Sequence, residues 1–245
     1  MASSRAPVSP VIEEYLEAIY NIAMEGDTVV GARLAEKFRV SPPTVTATLK
    51  RMRSDGFLMD TPAGIALSTA GKRAAESSLR RHRLCERFLS EVLGMDWCQA
   101  HEEAHHLEHG LTPAMEERMF TVLGNPRTCP HGNPIPGGDI DPLTFLQEQG
   151  AVRLTEASPE SPVRVVCISE VVEDESALLR YLGERGMHPG AIIRVTNRAP
   201  GSGPLAVRMG DEAAPMALDH SVAHKIWVAP VTRDRAVLEG QGDNA

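Results

Sequence analysis

The stretch GARLAEKFRVSPPTVTATLKRMRSDGFLMDTPAGIALS, residues 31–68, constrains the fold more than any other part of the chain. Leu34, Ala35 and Phe38 share one face of a short helix, and Arg39-Val40 makes a turn. Ser41 suits an N-cap and Pro42-Pro43 the first turn of the next helix. That helix buries Val45, Leu49 and Met52 and stops at Gly56. FLMD and IALS then read as two short strands around a Thr-Pro-Ala-Gly turn. Short helix, tight turn, capped helix and hairpin follow in the order of a winged helix-turn-helix.

Charge supports that reading. The whole chain carries −8, a poor balance for binding nucleic acid, yet residues 28–83 hold eleven Lys and Arg against four Asp and Glu. That segment is +7 (11 − 4) and the remainder −15 (−8 − 7), a basic module on an acidic body. On charge alone, a solvated mixed surface is an equal alternative.

Around this module the pattern is mostly helical. Ile12, Tyr15, Leu16, Ile19 and Ile22 recur at helical spacing over 11–25, with Gly26 as a stop. Helices are expected from Thr69 to Leu93, from Asp96 to His109, and from a Thr112 cap with Pro113 to Leu123. Residues 124–142 are dense in Gly and Pro and read as an ordered loop or boundary; 143–150 suit a short helix, and TEASPESP (155–162) reads as a flexible linker. VRVVCISEVV, AIIRVTN, LAVRM, APMALD and KIWVAP are short β-rich runs with one inserted helix, SALLRYLGERG, which together suggest a small barrel. The expected division is a winged helix-turn-helix at 8–72, a helical domain at 73–142, a linker at 143–162, a barrel at 163–232 and a disordered tail at 233–245.

No run of ~18 apolar residues is present, so no membrane span is expected. The start, MASSRAPVSP, has no long apolar stretch of an export signal, and four scattered cysteines (Cys85, Cys98, Cys129, Cys167) read as reduced thiols of a cytoplasmic protein.

The candidate chemistry lies in HEEAHHLEHG, residues 101–110, with four histidines and three glutamates. His101, His105 and His109 are spaced i,i+4, and Glu108 is i+3 from His105, so one helical face carries all four. The preceding helix offers His82 and Glu86, also i,i+4, and the first helix offers Glu14 and Glu17 at i,i+3. A solvated charged helix is the plain alternative. Lys and Arg are absent from 96–110, however, so this is no salt-bridge ladder, and such crowding of like groups calls for a cation. Carboxylates with imidazoles suit Mn²⁺, Fe²⁺, Co²⁺, Ni²⁺ or Zn²⁺. Cys85 and Cys98 are off the ligand register.

EEYLEAIY, SPPTVTATLKRMRSDGFL, RRHRLCERFL, HEEAHHLEHGL and GNPIPG, in that order over about residues 11–140, resemble the diphtheria-toxin-repressor family of metal-dependent transcriptional regulators. ISEVVEDESALLRYLGERGMHPG and the β runs after it resemble the SH3-like barrel of the longer members. The resemblance implies a mostly α fold with small β parts: a winged helix-turn-helix domain, a helical metal-binding and dimerisation domain, and a C-terminal SH3-like β-barrel. It implies a main metal site at Glu14, His105, Glu108 and His109, with Glu17 and His82 joining in the manganese-type branch. It implies an ancillary site at His82, Glu86 and His101, with Glu175 from the barrel. Where iron-type members have methionine and cysteine, this chain has Glu14 and His105; where they have a glutamine after the barrel glutamate, it has Leu178. Glu14 fits the manganese branch, whereas His105 fits neither. Oxygen donors at Glu14 and Glu17 favour Mn²⁺, with Fe²⁺ the alternative.

The expected function is a dimeric, metal-gated repressor of double-stranded operator DNA that acts on no small-molecule substrate. Arg33, Lys50, Arg51 and Arg53, with the helix N-terminus at Ser41, would contact phosphates; Pro43, Thr44 and Thr46 would face bases. Ala47 stands where iron-type members carry a glutamine. Histidine ligands must be neutral, so metal-dependent DNA binding should weaken as pH falls through ~6.5. A metalloenzyme would need an open metal position with an acid–base partner. A metal buffer would need no basic helix-turn-helix.

Overall fold

The structure is a computed structural model that describes residues 8–231 apart from 63, 138–139, 173 and 211–212. The tail expected to be disordered, 233–245, lies outside the described residues. The chain begins with three helices, α1 (Pro10–Met24), α2 (Gly31–Phe38) and α3 (Pro42–Ser54), followed by the hairpin β1 (Leu58–Thr61) and β2 (Gly64–Leu67). The expected stripes meet in one core: Ile12, Tyr15, Leu16, Ile19 and Ile22 from α1, Leu34 from α2, and Val45, Leu49 and Met52 from α3. Arg39 turns the chain in the left-handed region, φ 52°, and the Ser41 hydroxyl caps α3 at Thr44 N. Ser68 accepts from Gly71 N and donates to Gly56 O at 2.6 Å, so one side chain starts the next helix and fastens it to the end of the head.

That helix, α4 (Thr69–Glu91), packs on α1 and on α5 (Trp97–Leu107), which Asp96 caps. The expected helix to His109 ends early: residues 108–110 tighten into a 3₁₀ turn. Helix α6 (Pro113–Val122) follows its Thr112 cap and buries none of its residues against the rest of the chain.

The C-terminal part is a six-stranded antiparallel sheet of β3 (Val152–Arg153), β4 (Pro162–Ile168), β5 (Ile192–Arg198), β6 (Leu205–Met209), β7 (Met216–Leu218) and β8 (Ile226–Pro230) in the order β3-β8-β4-β5-β6-β7. Its residues curl around a core of Val163, Val165, Val195, Val207 and Val228, closed by Leu179 and Leu182 of α8 (Glu175–Gly183). Register shifts after Val165 and Val195 bend the strands. Among the described residues β3 and β7 do not pair, so the expected SH3-like barrel domain is an open sheet. Two further short helices are α7 (Phe145–Glu148) and α9 (His220–Ala223).

Residues 143–162, expected as a linker, are part of this packing. Phe145 and Leu146 are buried against Val166 and Trp227, β3 already pairs with β8, and Thr155 and Ala157 are buried. The Ala157 carbonyl accepts from Arg198 at 2.8 Å. Polar and Pro-rich composition there reflects irregular backbone, not freedom. The 124–142 loop is likewise fixed on β4. Ile168 N donates to His131 O, and Asn133 Nδ2 donates to Ile168 O, each at 3.0 Å. A Cβ on Gly132, φ 86°, would collide with the Val166 carbonyl oxygen, so this approach requires glycine.

A buried ionic knot joins the parts. Arg83 of α4 is fully buried and binds Glu170 through Nε and Nη2, at 3.2 and 2.7 Å. It also donates to Pro134 O at 2.6 Å and Asn21 Oδ1 at 3.0 Å, while Asn21 Nδ2 donates to Glu170 at 2.6 Å. Head, central helices, loop and sheet domain thus meet at one guanidinium. Arg153, stacked on Trp227, reaches across to Glu25 at 2.7 Å.

Candidate metal centre

Between α1, α5 and the segment after β4 opens a cleft of about 560 Å³. Glu14, Glu17 and Lys37 line one wall, His82, His101, His105 and His106 another, and Glu170 and Glu175 a third. The placement follows from helix periodicity: Glu14 and Glu17 flank the buried Tyr15-Leu16 pair of α1, and His82 sits on α4 one turn before Glu86. Glu14 is exposed at the rim. Glu17 is half-buried near His82 and Ser78, and that burial pushes its carboxyl up to about 7 against the pull of His82.

His82 lies between two carboxylates, Glu108 at 2.9 Å from Nδ1 and Glu86 at 3.1 Å from Nε2. Burial disfavours its imidazolium, but Glu86 and Glu108 outweigh burial and hold its pKa well above the usual histidine range. Glu108 is buried too, yet His105 and His82 hold it down at about 2. His105 and His109 each approach Glu108 at 3.7 Å and are half-exposed. His82, His105 and His109 thus gather round Glu108, and Glu14 and Glu17 line the cleft with His82 and His105.

The expected ancillary residues converge more tightly. Glu86 Oε1 lies 3.1 Å from His82, 2.9 Å from His101 and 3.2 Å from His131. Burial opposes ionisation of Glu86, but His131 and His82 hold its carboxyl well below the carboxylate range. Burial also opposes a charged His101, and Glu175 and Glu86 raise it to about 9. Glu175, at the start of α8, stands 3.9 Å from His101. The other oxygen, Glu86 Oε2, is buried without a hydrogen-bond partner. A buried carboxylate oxygen left unpaired amid imidazoles fits a cation-binding site.

Two groups of ligand atoms lie within 4.8 Å of one another: His82, His101 and His105, and Glu86, Cys129 and His131. The sequence reading missed Cys129 and His131. Their signal is the spacing Cys129-Pro130-His131 inside a Gly/Pro-rich loop, away from any helical register. The expectation that the chain holds no H-E-x-x-H string is wrong: residues 101–105 spell it, a zinc-hydrolase signature. In the structure the glutamate of that string, Glu102, is taken up by Arg180 at 3.4 Å on the α8 side.

On the opposite end of the head, Ser41, Pro43, Thr44, Thr46, Lys50, Arg51 and Arg53 are all exposed on or before α3. Arg33 is only partly exposed and paired with Asp27 at 2.8 Å. Thr46 turns its hydroxyl back to Pro42 O at 2.9 Å, so its methyl faces outward. Arg83, Arg81 and Arg80 of the +7 segment leave this surface: they bind Glu170, Glu13 and Glu116.

Three family models match the chain: the iron-dependent repressor N-terminal DNA-binding domain over 8–64, the iron-dependent repressor metal-binding and dimerisation domain over 68–137, and the FeoA domain over 152–230. The iron-dependent repressor IdeR of Mycobacterium tuberculosis is 38% identical over 227 residues, 89% of this chain and 96% of that protein. The diphtheria toxin repressor of Corynebacterium diphtheriae is 33% identical over 192 residues, 76% of this chain and 84% of that one. A manganese-dependent transcriptional repressor solved with manganese superposes with a TM-score of 0.74 at 30% identity, covering 90% of this chain and all of that one. These relatives are repressors, not enzymes. No helix among the described residues is long and apolar enough to cross a membrane. The chain belongs to the iron-dependent repressor family of metal-dependent transcriptional regulators.

Proposed function

We propose that the chain is a homodimeric repressor that binds double-stranded operator DNA in the cytoplasm when Mn²⁺ fills the cleft, with Fe²⁺ as the second reading. The observation that carries this is the cleft itself: carboxylates of α1, which belongs to the DNA-reading head, line it together with His82, His101 and His105 of the central helices, and His82 and His105 in turn contact Glu108. A bound ion would supply positive charge shared by both walls. Glu14, Glu17 and Glu108 are hard oxygen donors, which support manganese; the 38% identity to an iron-dependent repressor supports the alternative. We take Glu14, Glu17, His82, His105, Glu108 and His109 as the main donor set, and His82, Glu86, His101 and Glu175 as ancillary.

The residues of the chain perform the gating. Glu17 and Glu108 repel each other at the cleft, and a cation shared between the α1 carboxylates and the central helices would offset that repulsion and fix the head's orientation. The two heads of a dimer would then sit one helical turn of DNA apart, ~34 Å. The dimer face is the outer side of α4–α6: Val92, Leu93, Met115 and Val122 are exposed there, beside partly buried Leu107, Leu111 and Met119. Lys50, Arg51, Arg53 and the N-terminus of α3 engage phosphates, and Pro43, Thr44 and the Thr46 methyl meet base edges. We keep 8–72, 73–142 and 163–232 as its working units.

The test is selection of duplexes from a random-sequence pool with Mn²⁺ present, then binding of the selected DNA with and without Mn²⁺. Metal-dependent binding by wild type, lost in Glu108→Ala/His109→Ala, is expected. Equal binding with a chelator present overturns the proposal.

A further inference from the structure

We propose that the cavity between α1 and the wing, the β1–β2 hairpin, binds a medium-chain monocarboxylic acid, with its carboxylate on Lys72 and its apolar tail among the side chains of α1 and β2.

This cavity holds about 460 Å³, inside the ~300–1,000 Å³ range of small-molecule sites. Its apolar walls come from Ile19 and Ala23 of α1, from Val29, from Ile65 and Leu67 of β2, and from Leu143. It is separate from the metal cleft. Glu14, Glu17 and Asn21 of α1 line that cleft, whereas Ile19 and Ala23 fall about half a turn further round the helix. The two spaces share no lining residue.

The walls are held in place by the chain itself. Ile65 N donates to Val29 O at 3.4 Å. Gly64, φ 125°, comes so close that a Cβ there would lie 2.9 Å from the same oxygen. Residues 54–71 contain no Lys or Arg, so the wing offers DNA phosphates no cation. Its Ile65 and Leu67 are instead partly buried beside α1.

Charge at the rim selects the head group. Asp27 is already engaged by Arg33 at 2.8 Å and by Arg153 at 3.5 Å, so it offers a cationic ligand little. Lys72 is 42% exposed and pairs with Glu76 at 3.6 Å, and the same Glu76 oxygen accepts from Tyr20 Oη at 3.1 Å. A carboxylate on Lys72 Nζ makes a charge-assisted hydrogen bond shorter than that ion pair. The tail behind it takes apolar surface out of water.

Metal-free full-length protein, Lys72→Gln and Ala23→Trp are titrated calorimetrically with hexanoate, octanoate and decanoate, and with octylamine and 1-octanol. Ala23 is exposed on α1, so the tryptophan occupies the cavity without entering the core, and circular dichroism confirms folding. We expect one decanoate per chain, with affinity rising about fourfold per added CH₂. Lys72→Gln should weaken it about two- to fivefold, the range of an exposed ion pair. Ala23→Trp should abolish saturable binding. No saturable binding by wild type, affinity independent of chain length, or decanoate binding unchanged in either variant overturns the proposal. Octylamine or 1-octanol binding as tightly as octanoate, which would mark a cationic or neutral occupant, overturns it too.

Discussion

Arg83→Met perturbs the point where all parts of the molecule meet. The methionine fills much of the arginine's volume but removes four donated hydrogen bonds, two to Glu170 and one each to Pro134 O and Asn21. Glu170 is left 8% exposed with Asn21 as its remaining side-chain donor. Breaking a buried pair by removing one partner costs about 3–5 kcal/mol. Replacing both charges is much milder, so Arg83→Met/Glu170→Leu should recover most of that loss. The assay is urea unfolding of metal-free protein, with hydrogen exchange in α1 and β4 to locate the loosening. pH gives an independent check. Burial opposes ionisation of Glu170, but Arg83 prevails and holds its carboxyl below the usual range. A depressed folded-state pKa means the stabilisation is complete above the unfolded value of ~4.3 and disappears as pH falls through the folded one. Wild type should therefore lose stability below about pH 4.3, and Glu170→Gln should flatten that acid limb. A cost for Arg83→Met under ~1 kcal/mol, or a double variant whose loss equals the sum of the singles, would refute the reasoning.

Gly132→Ala should lower the unfolding midpoint and expose the 128–136 loop to protease, since a Cβ there meets Val166 O; an unchanged melt and digest would contradict this. Lys50→Ala and Arg51→Ala should each reduce the salt slope of DNA binding by about 1, measured by fluorescence anisotropy across salt concentrations; an unaltered slope removes them from the phosphate contacts. Metal loading at pH 7 should expel protons, because His101, raised to about 9, and His82 are held protonated without an ion. Titration calorimetry in two buffers of different ionisation enthalpy reads this, and metal affinity should climb towards pH 9 instead of levelling just above the usual histidine range near ~6.5.

The head was legible because its pattern is local: Leu34, Val45, Leu49 and Met52 sit at helical spacing, and Ser41, Pro42 and Gly56 mark the ends. His82, Glu86, His101 and His105 were legible for the same reason, being one turn apart on two packed helices. What escaped depends on distant partners. Arg83 reads as surface charge until Glu170, 87 positions away, closes over it. Cys129 and His131 lie in a loop whose shape is set by β4, so no period betrays them. The linker at 155–162 was misread because Thr155 and Ala157 are buried by the sheet, whatever their composition suggests.

In the proposed mechanism manganese joins the reading head to the central helices. Anomalous scattering from a crystal of the Mn²⁺-loaded protein tests that directly. It should show the ion with Glu14 or Glu17 on one side and His105, Glu108 or His109 on the other. Manganese held solely by α4 and α5 residues, with both α1 carboxylates turned to solvent, would contradict it.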